Sequence, residues 1–218
     1  MRVERCFAFV DLCGFTAFAD RRGDDAAVAV LTALRTALRE IAARRGVRVV
    51  KWLGDGAMLS GTDTSHVVAL VVEITAQAGA GTIPLPLRAG LAEGPVIMFE
   101  GDDYVGRPAN VASRLCGAAE PGQVLATPAA AAGAPAWVAT GDATPYAIPG
   151  LDRPVEAVCL RVAPGEHRVT DPWCGLDLPD VPGLVTGVAA DGRVERFCSD
   201  ACATAWGDAR LGAARAAT

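Results

Sequence analysis

Apolar positions along the chain alternate between two periods. Val3 to Leu12 is a nearly continuous apolar run with β-branched and aromatic residues, which predicts a buried strand with Asp11 near its end. Cys13-Gly14-Phe15-Thr16 turns the chain into a helix. Val28, Val30, Leu31, Leu34, Leu38 and Ile41 then recur at helical spacing. They predict a long helix to about Arg45, capped by Asp24 or Asp25 and closed by Gly46. Val47–Leu53 and Ala57–Ser60 form a hairpin around Gly54-Asp55-Gly56. Thr62–Ala78 is an apolar-faced helix with Asp63 or Thr64 at its cap, and two strands, Leu85–Leu91 and Pro95–Phe99, follow around Glu93-Gly94. Arg107–Ala118 is a helix with Pro108 in its first turn, and Gln123–Thr127 and Val155–Val162 are late strands.

This order predicts an α+β fold: a ferredoxin-like βαββαβ sandwich with additions, helices on one face of a mainly antiparallel sheet. Near Ala163 the texture changes to Pro, Gly, His and Asp, and a cysteine-bearing segment follows. The expected division is 1–164, a small module over 165–210, and a flexible tail over 211–218.

Composition narrows the function. The chain has 218 residues, 51% of them hydrophobic, enough for one full core and a small extra module. A net charge of −5 offers no nucleic-acid surface. No apolar stretch reaches the roughly 18 residues needed to span a bilayer, and Met1–Arg5 carries no signal-peptide pattern, so a cytoplasmic protein with no membrane partner is expected. The seven cysteines are then expected to be reduced. Of the 20 basic residues only Lys51 is a lysine, which singles out a position that Arg does not fill.

If the strands bearing Asp11 and Asp55 are neighbours, their carboxylates lie side by side and repel unless cations sit between them. Oxygen ligands favour Mg²⁺ or Mn²⁺, and two such ions form a phosphoryl-transfer clamp. Arg107, Asn110 and Arg114 share one helix face, and an Asn with an Arg suits the negative charge that develops on a phosphorus centre. Lys51 and Asp103 match adenine: the lysine donates to N1 and the carboxylate accepts from the N6 amine, while guanine reverses that edge.

Each feature alone is ordinary surface chemistry. Together, Phe9-Val10-Asp11-Leu12-Cys13-Gly14-Phe15-Thr16, Lys51-Trp52-Leu53-Gly54-Asp55-Gly56 and Asp103 through Leu115 resemble the three motifs of the class III nucleotidyl cyclase family, over about residues 4–162. The resemblance implies that Asp11 and Asp55 hold two Mg²⁺ or Mn²⁺ ions. It further implies that Lys51 and Asp103 read adenine and that Asn110 and Arg114 stabilise the transition state. Backbone amides at Gly14, Phe15 and Thr16 would hold phosphate. Arg107 or Arg153 would meet the terminal phosphates. The implied protein is a homodimeric adenylyl cyclase that turns ATP into 3′,5′-cyclic AMP and pyrophosphate. Guanylyl cyclase activity, or a non-catalytic nucleotide-binding or metal-sensing role, is the alternative. Ala109 replaces a larger aliphatic residue, and the short stretch from Glu93 to Asp103 implies a reduced dimer arm.

The second constellation is Cys174 in Asp171-Pro172-Trp173-Cys174-Gly175, followed by Phe197-Cys198-Ser199-Asp200-Ala201-Cys202. Two thiols four residues apart at a helix start, with a third from a turn, suit Zn²⁺ or another soft metal. Over about 168–207 the segment resembles the YHS family of small treble-clef-like metal modules, with Leu176 where Met is frequent. The fourth ligand stays open among His167, Asp171, Asp200 and water. A module this small gains stability from its metal, and metal or redox state there is expected to regulate the enzyme.

Overall fold

The computed structural model describes residues 2–99, 103–148 and 152–216, with side chains for the same residues except 103 and 211–216. The chain forms two compact units, Met1–Ala134 with Thr140–Arg161, and Pro135–Ala139 with Val162–Thr218. No helix among the described residues is long and apolar enough to cross a membrane.

In the first unit β1 (Arg2–Leu12) is central, and Cys6, Phe7, Ala8 and Val10 are buried, as a strand covered on both faces requires. The chain then forms α1 (Phe15–Arg22), α2 (Asp24–Arg45), β2 (Arg48–Leu53), β3 (Gly56–Gly61), α3 (Thr64–Gly79), β4 (Leu87–Phe99), β5 (Asp103–Val105), α4 (Arg107–Ala118), β6 (Val124–Ala126), α5 (Pro128–Ala132), β7 (Val138–Thr140), β8 (Thr144–Tyr146) and β9 (Val155–Val162). The main sheet runs β2-β3-β1-β4-β6-β9, all neighbours antiparallel except β4 and β6. The fold is α+β, as expected.

Several local expectations are corrected. Gly23, at φ 83°, separates α1 from α2 and stands at the N-cap of α2 in place of the expected aspartate. Asp24 and Asp25 lie in the first turn of α2 and do not cap it. Asp63 caps α3, accepting from the Ser65 N–H at 2.9 Å. Glu93-Gly94 does not break the strand: β4 pairs with β1 straight through, Arg5 opposite Gly94 and Cys6 opposite Glu93.

The helices lie on both faces of the sheet rather than one. Successive side chains of a strand point to opposite faces. Phe7 joins Leu115, Ala112 and Val111 of α4 in one core cluster, while Cys6 meets Thr64 at the start of α3. Gly90 sets the distance to α4: a Cβ there would stand 2.2 Å from both the Ala112 carbonyl oxygen and the Cys116 nitrogen. Both obstacles are backbone, so the helix itself must shift. Gly90→Ala is expected to cost about 3 kcal/mol, read as a lowered denaturant midpoint with unchanged slope. A midpoint equal to that of the parent protein would refute the close packing.

α2 buries Ala27, Val30, Leu34, Leu38 and Ile41 along one stripe, whereas Val28, expected on that stripe, is exposed. Its last turn delivers Arg45, 1% exposed, to Glu73 of α3, also 1% exposed. The Arg45 Nε and Nη2 lie 3.0 and 2.6 Å from Glu73 Oε2, and Arg44 Nη2 lies 2.6 Å from Oε1.

The second unit contains two small hairpins, β10 (Arg168–Thr170) with β11 (Asp177–Pro179) and β12 (Val185–Val188) with β13 (Val194–Phe197), then α6 (Asp200–Ala216). α6 carries helix into the span expected as a tail. Phe197 packs on Trp206 with ring centroids 5.3 Å apart. Trp137, from the short excursion Pro135–Ala139, is buried and donates its indole N–H to the Cys198 carbonyl at 3.0 Å.

Candidate active site

Asp11 stands at the end of β1, opposite Gly56 on β3 and Arg88 on β4. Asp55 lies in the tight β2–β3 turn, and its carbonyl accepts from the Leu12 N–H at 3.3 Å. Gly54 takes φ 64° in that turn. Gly56 has no room for a side chain, since a Cβ would lie 2.5 Å from the Val10 carbonyl oxygen and 3.2 Å from Asp11 Oδ1. The turn is therefore pressed against the end of β1, and the two carboxylates share one locale. The Asp55 carboxyl is pushed up, chiefly by partial burial and further by the Asp11 charge.

Arg88 is the residue that sequence reasoning missed. Its Nε and Nη2 lie 3.0 and 2.7 Å from Asp11 Oδ2. Both contacts go to Oδ2, which leaves Oδ1 facing the Asp55 turn. A cavity of about 190 Å³ opens here, lined by Asp11, Gly56, Arg88, Ser113 and Cys116 among others. Burial pushes the Cys116 thiol up to about 12, so it stays neutral beside the carboxylates.

Lys51 is exposed on β2, in register with Met58 after a register shift between Val49 and Lys51. The neighbouring Trp52 ring lies 5.1 Å from the Arg35 guanidinium and 5.3 Å from that of Arg39, and Arg35 Nη2 reaches the Gly54 carbonyl at 3.4 Å. These contacts brace the hairpin that carries both Lys51 and Asp55. The backbone of Asp103 pairs with Phe99 at the start of β5; its side chain is outside the described residues. Gly14 caps α1 at φ 76°, and Phe15 and Thr16 form its first turn.

α4 divides by face. Pro108, Ala109, Val111, Ala112 and Leu115 are buried, while Arg107, Asn110 and Arg114 are exposed together. Among the described residues, no hydrogen bond or ion pair joins Asn110 or Arg114 to Asp11 or Asp55. Arg107 also borders a separate cavity of about 290 Å³ with Glu93, Thr127 and Val155. Arg153 is exposed.

In the second unit, ligand atoms of Asp171, Cys174, Cys198 and Cys202 lie within 4.8 Å of one another. The Cys174–Cys198 and Cys198–Cys202 sulfur distances are 3.7 and 3.5 Å. His167 and Asp200 are exposed and outside this group. The Cys174 thiol is pushed up by hydrogen bonds with Cys198 and Cys202 and by burial. Three thiols and a carboxylate fit a thiophilic divalent ion.

Residues 3–134 match the family model described as the adenylate and guanylate cyclase catalytic domain. The chain belongs to this family. The cyclase domain is 35% identical over 164 residues to an uncharacterized protein of Mycobacterium tuberculosis, covering 75% of this chain and 43% of that one. The chain thus spans less than half the length of that relative. It is also 35% identical over 119 residues to a protein named adenylate cyclase from Streptomyces coelicolor, covering 54% of this chain and 30% of that one. Among solved structures, the adenylyl cyclase CyaB from P. aeruginosa superposes with a TM-score of 0.65 at 25% identity, covering 75% of this chain and 96% of that one. The guanylyl cyclase Cya2 superposes equally well, TM-score 0.65, at 22% identity, covering 75% and 94%, and shares the cyclase fold.

Proposed function

We propose that the first unit is an adenylyl cyclase that works as a homodimer, forming 3′,5′-cyclic AMP and pyrophosphate from ATP. The observation that carries this reading is the convergence of Asp11, Asp55 and Arg88 at the end of β1 in a chain of the cyclase family.

Asp11 and Asp55 would hold two Mg²⁺ or Mn²⁺ ions, which when bound acidify the ribose 3′-hydroxyl and neutralise phosphate charge. Arg88 holds Asp11 by Oδ2, so Oδ1 stays available toward Asp55. Backbone N–H groups at Gly14, Phe15 and Thr16 would donate to phosphate oxygens at the start of α1. Asn110 and Arg114 donate hydrogen bonds to the phosphoryl oxygens as charge builds during in-line attack. Lys51 donates to adenine N1 and Asp103 accepts from N6, which disfavours guanine. Arg107 adds charge near the terminal phosphates.

Asn110 and Arg114 make no described contact with the carboxylate pair, which supports a site completed by a second copy. Exposed apolar residues support the same assembly: Leu53 at the hairpin, Ile97 and Phe99 on β4, and Val105, 58% exposed, on β5. Each dimer would then carry two sites, each pairing Asp11 and Asp55 of one copy with Lys51, Asp103, Asn110 and Arg114 of the other.

The second unit, with its YHS-like cysteine pattern, is proposed to bind Zn²⁺ or another soft metal through Cys174, Cys198 and Cys202. The proposal extends to control of the cyclase rate by metal or thiol state. Its support is the thiol cluster, with Cys198 and Cys202 buried and Cys174 half-buried, and the placement of Trp137, between α5 and β7, in the same unit.

The test is turnover of ATP and GTP with Mn²⁺ and then Mg²⁺, together with subunit mixing. Asp55→Ala and Arg114→Ala proteins are each expected to be inactive. Mixed, they regain about a quarter of parental activity, because half the dimers are hybrids with one intact site of two. Product from GTP in preference to ATP would overturn the adenylyl reading, and failure of the mixture to recover would overturn the shared site.

A further inference from the structure

The metal reading of the second unit names three thiols and leaves its fourth ligand undecided. The carboxylate of Asp171 stands closest to that role by its surroundings. Asp171 is fully buried. Its Oδ1 accepts the backbone N–H of Trp173 at 2.9 Å and of Cys174 at 3.1 Å, and its Oδ2 accepts the Cys198 N–H at 2.8 Å. One side chain thus ties together the two segments that carry the ligands, although they are 27 residues apart in sequence.

A carboxylate offers about four acceptor positions. Three are filled by these N–H groups. The remaining one is on Oδ2, and no other described group donates to it. No Arg or Lys among the described residues pairs with it. A carboxylate oxygen of Asp171 lies within 4.8 Å of all three sulfurs. His167 on β10 and Asp200 at the start of α6 are exposed and outside that radius.

We propose that Asp171 is the fourth ligand of a closed Cys174–Cys198–Cys202–Asp171 centre for Zn²⁺, and that the same carboxylate fixes the two ligand-bearing segments in place. This inference rests on the metal reading above. Sulfur separations of 3.5 and 3.7 Å approach the roughly 3.8 Å edge of a tetrahedron with Zn–S bonds of about 2.3 Å. An oxygen among the donors favours a divalent, four-coordinate ion over Cu(I), for which three thiolates suffice. Binding forms three metal–sulfur bonds and one metal–oxygen bond, and each thiol that ionises releases one proton to solvent.

The experiment uses the full chain, with Zn²⁺ and Co²⁺ as probes. X-ray absorption of the Zn²⁺-loaded protein is expected to show three sulfurs at about 2.3 Å and one oxygen at about 2.0 Å. The Co²⁺-loaded protein in ¹⁷O-water is expected to show no line broadening, because the oxygen is not solvent. Asp171→Asn is expected to weaken Zn²⁺ binding by about 10- to 100-fold and to shift the Co²⁺ visible bands, whereas His167→Ala and Asp200→Ala leave both unchanged. A nitrogen in the shell, three sulfurs alone, ¹⁷O broadening, or an Asp171→Asn protein with parental affinity and bands would overturn the assignment while leaving the metal site standing. A parent protein that takes up no stoichiometric Zn²⁺ would overturn the metal reading itself. The absorption and ¹⁷O measurements use the unmodified chain, so they decide the question even if the variant does not fold.

Discussion

Asp55→Ala is expected to lower cyclic nucleotide formation by about 10³-fold or more, equivalent to roughly 4 kcal/mol of transition-state stabilisation. The residue lies where the β2–β3 turn is pressed against the end of β1, and it supplies half of the carboxylate pair. In the proposed two-metal mechanism, Asp11 alone would not hold both ions. The same substitution leaves the fold intact. The raised proton affinity of Asp55 shows that its ionised form is disfavoured in the folded chain, by partial burial first and by Asp11 second. The sign follows from linkage. The folded chain holds this proton more tightly than the unfolded chain, so Asp55's contribution to stability falls as pH rises from the ordinary carboxylate range through its raised value. At neutral pH the ionised side chain opposes folding, and Asp55→Ala removes that opposition. Turnover and thermal unfolding measured on the same preparation check both halves. A large loss of turnover together with a large drop in unfolding temperature would instead make Asp55 a structural residue.

Glu73→Ala has the largest expected effect on stability, a loss of about 3–5 kcal/mol. Glu73 and Arg45 are each 1% exposed, and Arg44 reaches the second carboxylate oxygen. Removing the acid leaves guanidinium charge buried with its principal carboxylate partner gone. For a chain of this length the unfolding midpoint falls by about 10 °C. The paired change Glu73→Leu with Arg45→Leu recovers much of that loss, because a buried ion pair replaced by apolar side chains often costs little. Calorimetry on both variants checks the claim. Equal midpoints for Glu73→Ala and the parent would show that water reaches the pair.

What the sequence revealed and what it hid divide by range. The bounds of α4 were legible because Gly106, Pro108 and an amphipathic pattern mark them locally. The placement of Asp11 beside Asp55 followed from a single hairpin and a single strand pairing. The unbroken β4 was hidden: Glu93-Gly94 reads locally as a turn, but pairing with β1 along its whole length holds the strand together through Gly94. Arg88 was hidden for a related reason, since its partner Asp11 lies 77 residues away and an Arg in a strand has no local signature. Asp171, one of four open choices for the proposed last thiol-site ligand, is set apart from His167 and Asp200 only by burial and backbone hydrogen bonds, which have no local signature. The two-faced helix packing was equally silent, because it depends on which side of β1 each helix meets.

The excursion at Pro135–Ala139 constrains how this gene can be divided. A fragment beginning at Val162 would hold every cysteine of the second unit yet lack the indole that fills its interior and grips the Cys198 carbonyl. A fragment ending at Arg161 would keep that indole with nothing to enclose it. The chain therefore passes from one unit to the other three times rather than once. Neither unit is one uninterrupted stretch of sequence that could be transplanted as a single cassette.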